Sequence, residues 1–210
     1  MVGLMQHVRF GRTGLRVSRL CLGTMTFGHQ CDEATSFAIM DAAAEAGIDF
    51  IDTADMYPLG APPELFGRTE EIVGKWLKGR RDDFLIATKC FFPTGRRAWE
   101  SGSSRHNIMR SIDLSLKRLG TDHVDLYQVH SWDTGTRIDE TLLALEDLVK
   151  SARCATSDVP TSSRTNWPDH WVEPRRSVSP DSNACNRATT CSFARTNVNY
   201  CRCVPRTESP

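Results

Sequence analysis

The sequence has no excess of charge of either sign and no long hydrophobic run. Its 26 Lys and Arg residues balance 26 Asp and Glu residues, so no net field would draw the chain to nucleic acid or to an anionic membrane. Arginines at positions 9, 12, 16 and 19 interrupt the apolar residues near the N-terminus, which excludes a signal-peptide core. No later run approaches the length of a membrane span. We therefore expect a cytoplasmic protein with neither nucleic acid nor a membrane as its partner.

The C-terminal part of the chain also lacks the residues of a hydrophobic core. Residues 152–210 contain no Leu, Ile, Met, Gly, Lys or Gln. A segment of this length without large aliphatic side chains has almost nothing to bury, and its apolar residues follow neither a helical nor a strand period. We predict one folded region over residues 1–151, followed by a disordered tail over residues 152–210.

Eight cysteines raise the alternative of a secreted disulfide framework. Cys21 and Cys90 lie in apolar, strand-like runs and Cys31 lies just before a predicted helix, positions that are typical of free thiols. In the tail, a zinc or disulfide site is a second alternative. Its candidate residues are Cys185, Cys191, Cys201 and Cys203. Because their spacing lacks the paired Cys-x₂-Cys pattern of common zinc sites, we predict no metal site.

Apolar, β-rich runs alternate with helical patterns over the first 151 residues. The predicted strands are 19–23, 49–54, 84–89 and 124–130, spaced by roughly 30 to 40 residues, the length of a βαβ unit. The predicted helices are 32–46, 69–77, 103–120 and Ile138–Lys150. This alternation indicates an α/β fold with a parallel sheet covered by helices. Periodicity alone leaves a doubly wound sheet and a (β/α)₈ barrel both open.

Ionisable side chains stand at the C-terminal ends of three successive predicted strands, where the residues of a barrel active site converge. They are Asp52, Lys89 and His130. Singly, each has a plain structural interpretation: the aspartate caps a helix, the lysine reaches solvent and the histidine is a core residue. Together with Tyr57, five residues beyond Asp52, they form a set with a specific chemical use.

That use is the addition of a proton to an oxygen as a hydride arrives at carbon. A phenol has a pKa of about 10, and a nearby ammonium lowers this value by stabilising the phenolate. We expect Lys89 to do this for Tyr57, Asp52 to hold the lysine charged and oriented, and a neutral His130 to donate a hydrogen bond to a carbonyl oxygen. A Schiff-base aldolase, in which Lys89 attacks a carbonyl as an amine, is the alternative enzyme class.

The fragments FGRTGLRVSRLCLGTMTFG, AGIDFIDTADMY, IATK and LGTDHVDLYQVHSWD resemble the aldo-keto reductase family, in order and at the right separations over residues 8–151. The resemblance implies a (β/α)₈ barrel with a β-hairpin at residues 7–17 plugging its bottom. It also implies NADPH-dependent reduction of aldehydes or ketones, with Tyr57 as general acid in a tetrad completed by Asp52, Lys89 and His130. The residues that it places near the cofactor are Gly23, Thr24, Met25 and Asp52.

The resemblance covers only the N-terminal half of such a barrel, about four βα units. Family members take the nicotinamide-stacking aromatic residue and the basic residues that grip the adenosine phosphate from the other half. We therefore expect this chain to carry the tetrad but to bind NADPH poorly and to turn over its small-molecule carbonyl substrate slowly or not at all. Open sheet edges favour self-association of the half barrel. A non-enzymatic binding or regulatory subunit on the same scaffold is the other alternative.

The predicted boundary after Ser151 has an explanation in the genetic code. Read one base earlier, the residues ARCATSDVPTS are compatible with GKVRYIGCSNF, which is similar to the fifth strand of the family. The same shift at residues 199–201 gives a pair of leucines in a stretch that resembles a later helix of the family. We hypothesise that the tail is non-homologous because one base was lost at this junction and residues 152–210 are out-of-frame translation. An intact reading frame at the locus would contradict this.

Overall fold

The computed structural model describes residues 5–11 and 13–159 and the backbone of residues 200–202. A small antiparallel hairpin precedes a larger sheet, and helices follow successive strands of that sheet. The strands are β1 (His7–Arg9), β2 (Arg16–Ser18), β3 (Leu20–Gly23), β4 (Phe50–Asp52), β5 (Leu85–Cys90), β6 (Val124–Val129), β7 (Cys154–Asp158) and β8 (Tyr200–Arg202). The α-helices are α1 (Glu33–Glu45), α2 (Arg68–Leu77), α3 (Arg105–Leu119) and α4 (Ile138–Lys150).

The larger sheet has the strand order β7-β6-β5-β4-β3-β8. Neighbouring strands from β3 to β7 pair in parallel, so their C-terminal ends meet at one edge of the sheet. Strand β8 pairs with the other side of β3 and runs antiparallel to it. The four predicted strands and four predicted helices are confirmed, with the second strand shorter than predicted, at Phe50–Asp52.

Helix α3 shows why the sequence forms its helices where it does. The Ser104 side chain accepts a hydrogen bond from the backbone of Asn107 and caps the N-terminus, and Gly120 ends the helix with a left-handed φ of 67°. On one face, Ile108, Ile112 and Leu119 are fully buried. The predicted apolar stripe therefore faces the core, and burial of these side chains rather than propensity stabilises the helix.

Alternate residues along each strand face two different apolar clusters. On the helix side, Ile51 and Ile86 pack with residues of the helices. On the opposite side, Phe50 and Ala87 pack with the hairpin, whose Phe10 ring contacts Phe50 edge-on at a centroid distance of 6.0 Å. The hairpin predicted at residues 7–17 is thus confirmed, and it covers the N-terminal part of this face. The hairpin does not cover the C-terminal part of the same face, and the candidate site described below lies there.

The sheet continues beyond the boundary predicted at Ala152. Strand β7 lies within the tail and pairs in parallel with β6, and its first residue, Cys154, is buried. The prediction of a structureless tail is therefore wrong for Cys154–Asp158, because pairing with β6 supplies an order that the local composition does not specify. The backbone of the tail also contributes β8. Cys185, Cys191 and Cys203 lie outside the described residues.

Among the residues that the structure describes, no helix combines the length and the apolar character needed to cross a membrane.

Candidate active site

The C-terminal ends of β3, β4, β5 and β6 bring the four residues of the predicted tetrad together. Asp52 ends β4, Lys89 lies near the end of β5, His130 directly follows β6, and Tyr57 lies in the loop after β4. Ala87 and Lys89 are two residues apart on β5, so both side chains leave the sheet on the face that the hairpin covers at its other end. Parallel pairing and strand alternation together place the site.

A short ion pair anchors the site. The Lys89 ammonium donates to the Asp52 carboxylate at 2.5 Å and to the backbone oxygen of Thr53 at 2.8 Å. The lysine side chain is 12% exposed and the aspartate side chain 27%. Burial lowers the pKa of Lys89, but the charges of Asp52 and Tyr57 outweigh it and raise the pKa above its ordinary value. The lysine is therefore charged and oriented as predicted.

Tyr57 is held in a buried position beside this ammonium. Its backbone N–H donates to the oxygen of Ala54, and its own carbonyl accepts from the N–H of Gly67 at 2.9 Å. The ring is 7% exposed, and the Lys89 nitrogen lies 5.1 Å from the ring centroid. These contacts hold the phenol in one position, although Tyr57 lies in a loop.

The expected lowering of the Tyr57 pKa is wrong in its net direction. Burial raises the pKa of Tyr57 above 10.0, and the nearby Lys89 lowers it by less than burial raises it, while Asp52 raises it further. Lys89 acts in the predicted direction, but the cost of ionising a phenol in an apolar place exceeds its effect. The phenol therefore stays protonated, as a proton donor must.

His130 completes the site as a neutral imidazole. Its ring meets Tyr57 edge-on at a centroid distance of 5.7 Å and Phe92 at 5.0 Å. Burial, and then the charge of Lys89, lower the pKa of His130 to about 4. Nδ1 is buried and has no hydrogen-bond partner among the described residues. A neutral ring fits the predicted role of donating a hydrogen bond to a carbonyl oxygen, whereas an imidazolium beside Lys89 is disfavoured.

The segment predicted to lie near a cofactor borders Asp52, but its three residues differ in what they offer. Gly23 pairs with Asp52 in the register of β3 and β4 and is partly exposed, as is Met25. Thr24 is fully buried and uses both its N–H and its hydroxyl on the carbonyl oxygen of Asp52, at 3.0 and 2.9 Å. Its side chain positions Asp52 and is not free to bind a ligand.

Two further groups at this site were not among the predicted residues. The backbone oxygen of Thr53 is the second acceptor for Lys89, and no side-chain pattern signals a carbonyl. Phe92 packs on His130; its position just after β5 was the available signal, since residues at that edge of the sheet surround the site. In the part of the chain that the structure describes, no cluster of His, Cys, Asp and Glu residues is arranged to hold a metal ion.

The four side chains can deliver a proton to an oxygen but carry no redox centre. A protonated phenol, a fixed ammonium and a neutral imidazole around one point suit an oxygen that gains negative charge. The hydride of such a reaction must come from a second molecule. Gly23 and Met25 are partly exposed at the same edge of the sheet as Asp52, and the proton-donating set is compatible with a hydride donor bound there.

Comparison with known proteins points to one family. A sequence model of the Aldo/keto reductase family matches residues 19–157, which includes all four residues of the site and almost all of β7. The uncharacterized oxidoreductase YrpG of Bacillus subtilis (strain 168) is 46% identical over 157 residues, covering 71% of this chain and 47% of that protein.

Two further relatives carry more specific names. Norsolorinic acid reductase A of Aspergillus parasiticus is 36% identical over 165 residues, covering 70% of this chain and 41% of that protein. A probable voltage-gated potassium channel subunit beta of Oryza sativa subsp. japonica is 38% identical over 142 residues, covering 67% of this chain and 42% of that protein. The chain spans less than half of the length of each of the three relatives.

Proposed function

This chain belongs to the aldo/keto reductase family, and from that premise we propose that it takes part in NADPH-dependent reduction of aldehydes or ketones to alcohols. The family fold is a (β/α)₈ barrel, and β3 to β7 with α1 to α4 form its N-terminal part. One observation carries the proposal: the ammonium of Lys89 is fixed by Asp52 beside a buried phenol and a neutral imidazole. This set matches the proton-transfer half of a carbonyl reduction.

In this mechanism the chain binds and polarises the carbonyl oxygen and protonates it. His130 donates a hydrogen bond to the oxygen, and Tyr57 releases its proton to it as negative charge develops. Lys89 stabilises the resulting phenolate, and Asp52 keeps the lysine charged during the transfer. NADPH, when bound, would supply the hydride, and Gly23 and Met25 would help to hold it.

A Schiff-base reaction on Lys89 has less support. A lysine must lose its proton before its nitrogen can attack a carbonyl, and Asp52 and Tyr57 raise the pKa of this lysine. Trapping with borohydride and a small aldehyde should therefore leave Lys89 unmodified.

The test follows oxidation of NADPH at millimolar concentration in the presence of a panel of aldehydes and ketones. Tyr57→Phe should lower the carbonyl-dependent rate by about 10²-fold or more, because it removes the general acid. Tyr127→Phe is the matched control, since it removes a buried phenol that lies away from the site and contacts Ile108. A carbonyl-dependent rate that is the same in the Tyr57→Phe chain as in the unmodified chain would overturn the proposal.

We further propose that the 210-residue chain binds NADPH more weakly than micromolar. Family members take part of their cofactor contacts from the half of the barrel that lies beyond the matched residues. A fluorescence titration measures the affinity, and a micromolar or tighter dissociation constant contradicts this part.

A regulatory subunit is the second candidate function, and the similarity to the rice potassium channel subunit beta favours it. Under this alternative the chain binds a larger protein, and the reaction is dispensable. Co-purification of a partner that is unaffected by Tyr57→Phe, together with absent turnover, would replace the first proposal by this one.

A further inference from the structure

A buried acidic pair lies directly behind the tetrad, on the helix side of the sheet. Asp55 is 2% exposed and Glu70 is 0% exposed. Glu70 has two good partners: its carboxylate accepts from the hydroxyl of Thr88 at 2.6 Å and from the guanidinium of Arg118 at 3.0 Å. Both carboxyl oxygens of Asp55 are buried and lack a hydrogen-bond partner among the described residues. Burial is the largest influence on the pKa of Asp55 and raises it; the nearby N–H of Met56 lowers it, but its geometry does not make a hydrogen bond.

Each of the two positive charges near Asp55 is bonded to another carboxylate. Asp55 faces Glu70 of α2 and Arg110 and Arg118 of α3. Arg118 is bonded to Glu70, and Arg110 is bonded through Nη2 to Glu100 at 2.7 Å, while its buried Nη1 has no hydrogen-bond partner among the described residues. Burial first, and then Glu70, raise the pKa of Asp55 well above its usual range, and the two arginines offset only part of this.

Groups on the strands add no positive charge to this environment. Burial raises the pKa of Cys90 of β5 and of Tyr127 of β6, and the charge of Asp55 adds to this effect for both groups. Tyr57 senses it as well, in the direction that opposes a phenolate. An ionised Asp55 would thus be a second buried carboxylate beside Glu70, which is costly without a partner.

The backbone links Asp55 to the position of Tyr57. The N–H of Asp55 donates to the oxygen of Lys89 at 3.0 Å, and the N–H of Thr53 donates to Ala87 at 2.9 Å, which extends the pairing of β4 with β5. Two residues later, the carbonyl of Tyr57 is bonded to Gly67 at the start of α2. The backbone from Thr53 to Tyr57 thus connects the buried Asp55 to the position of Tyr57.

We propose that Asp55 is a positioning residue: it remains a neutral acid at neutral pH, the Asp55–Glu70 pair carries a single proton, and its burial keeps Tyr57 beside Lys89 and His130. The inference depends on the proposed function only for what Tyr57 does there. None of the tests below uses NADPH or a carbonyl, so their failure is distinct from failure of the reductase assignment.

The first test measures stability against pH for the full chain and for Asp55→Asn, an uncharged variant of similar shape. A carboxyl whose pKa is raised in the folded state contributes stability that is complete at low pH and is lost as the pH rises above the unfolded value of about 4. The unfolding constant of the unmodified chain should rise, relative to that of Asp55→Asn, by up to about tenfold per pH unit above that value. Asp55→Asn should fold at pH 7, and an Asp55→Asn chain that is unfolded or has the same pH dependence overturns the proposal.

The second test asks whether Asp55 positions Tyr57. The ultraviolet absorbance of phenolate, taken as the difference from the corresponding Tyr57→Phe chain, gives the titration midpoint of Tyr57. Asp55→Ala empties the buried site and should shift this midpoint, whereas Asp55→Asn should restore the original value. A midpoint that is unchanged in Asp55→Ala, or shifted as far in Asp55→Asn as in Asp55→Ala, overturns the proposal.

A third measurement needs the unmodified chain and two variants. The infrared band of a neutral carboxyl group should be present at pH 7 and should be missing from the spectrum of Asp55→Asn. Glu70→Gln is the control that shows which of the two carboxyl groups carries the proton. Glu70 accepts two hydrogen bonds as a carboxylate, so this substitution should leave the band of neutral Asp55 in place. Loss of the band in Glu70→Gln and its retention in Asp55→Asn would assign the proton to Glu70 and overturn the inference.

Discussion

Thr24 donates two hydrogen bonds to the same atom, the backbone oxygen of Asp52: its N–H at 3.0 Å and its hydroxyl at 2.9 Å. The threonine is fully buried, at the end of the strand next to β4. Both bonds therefore hold Asp52, whose side chain orients Lys89. Thr24, which was predicted to lie near a cofactor, thus positions the backbone of Asp52 at the site.

Replacement of Thr24 tests this role. Thr24→Val should lower the free energy of unfolding by about 1 kcal/mol, because it keeps the shape but loses the hydroxyl bond. Thr24→Ser keeps the hydroxyl and is the matched control, and it should keep the bond to Asp52 while losing a methyl group. Urea denaturation measures both. Equal stability of the Thr24→Val chain and the unmodified chain would show that the hydroxyl does not contribute.

The neutral state of His130 predicts a loss of stability in acid. Its pKa in the folded chain is about 4, whereas a histidine in an unfolded chain has a pKa of about 6.5. As the pH falls between these values the unfolded state takes up the proton first, so stability is complete above about pH 6.5 and is lost toward pH 4. The unfolding constant should rise by at most about tenfold per pH unit, and less because the ring is not fully buried.

His130→Gln should remove this acid dependence, and the exposed His29→Gln is the control that should retain it. Urea denaturation between pH 7 and pH 4 measures both variants against the unmodified chain. A His130→Gln chain with the original acid dependence would contradict the assigned neutral state. Asp55 acts with the opposite sign in part of this range, so each effect is taken as a difference between a variant and the unmodified chain.

The packing of α2 on α3 depends on one glycine. A Cβ at Gly74 would overlap the backbone of Arg118 and Leu119, so Gly74→Ala should destabilise the chain by about 1 to 3 kcal/mol. Gly14→Ala is the control, since a Cβ at Gly14 meets no atom within 4 Å, and it should change stability by no more than about 0.5 kcal/mol. Equal effects of the two substitutions would mean that the helices do not approach as described.

Thiol reactivity tests the fifth parallel strand. Cys154 is 2% exposed and burial raises its pKa to about 12, so its reactive thiolate is scarce. Iodoacetamide should modify Cys154 of the folded chain much more slowly than the partly exposed Cys31, and peptide mass mapping after a short pulse gives the two rates. In denaturant the two cysteines should react at similar rates. Similar rates in the folded chain as well would show that β7 does not form.

Much of this fold could be predicted because its signals are local. Apolar runs mark the strands from β3 to β6, and the spacing of Ile108 and Ile112 marks the buried face of α3. Strand β7 was missed because its residues, CATSD, include no large aliphatic side chain. Only the ladder of β6, which is distant in sequence, makes them a strand.

The candidate site could likewise be predicted only in part. Residue type and strand-end position were enough to bring Asp52, Lys89 and His130 into one group with Tyr57. The net direction of the Tyr57 pKa was beyond local reasoning, because it depends on how much water the folded chain removes from the phenol.

The sequence by itself determined the order of strands and helices and the side chains available for proton transfer, since periodicity and residue chemistry are properties of short segments. Tertiary structure decided what state those side chains take. It buried Tyr57 against Lys89, kept His130 neutral, and placed Asp55 beside Glu70 although the two are far apart along the chain. The physical reason is that burial and the distances between charges, which set the pKa of each group, exist only once the helices have packed on the sheet.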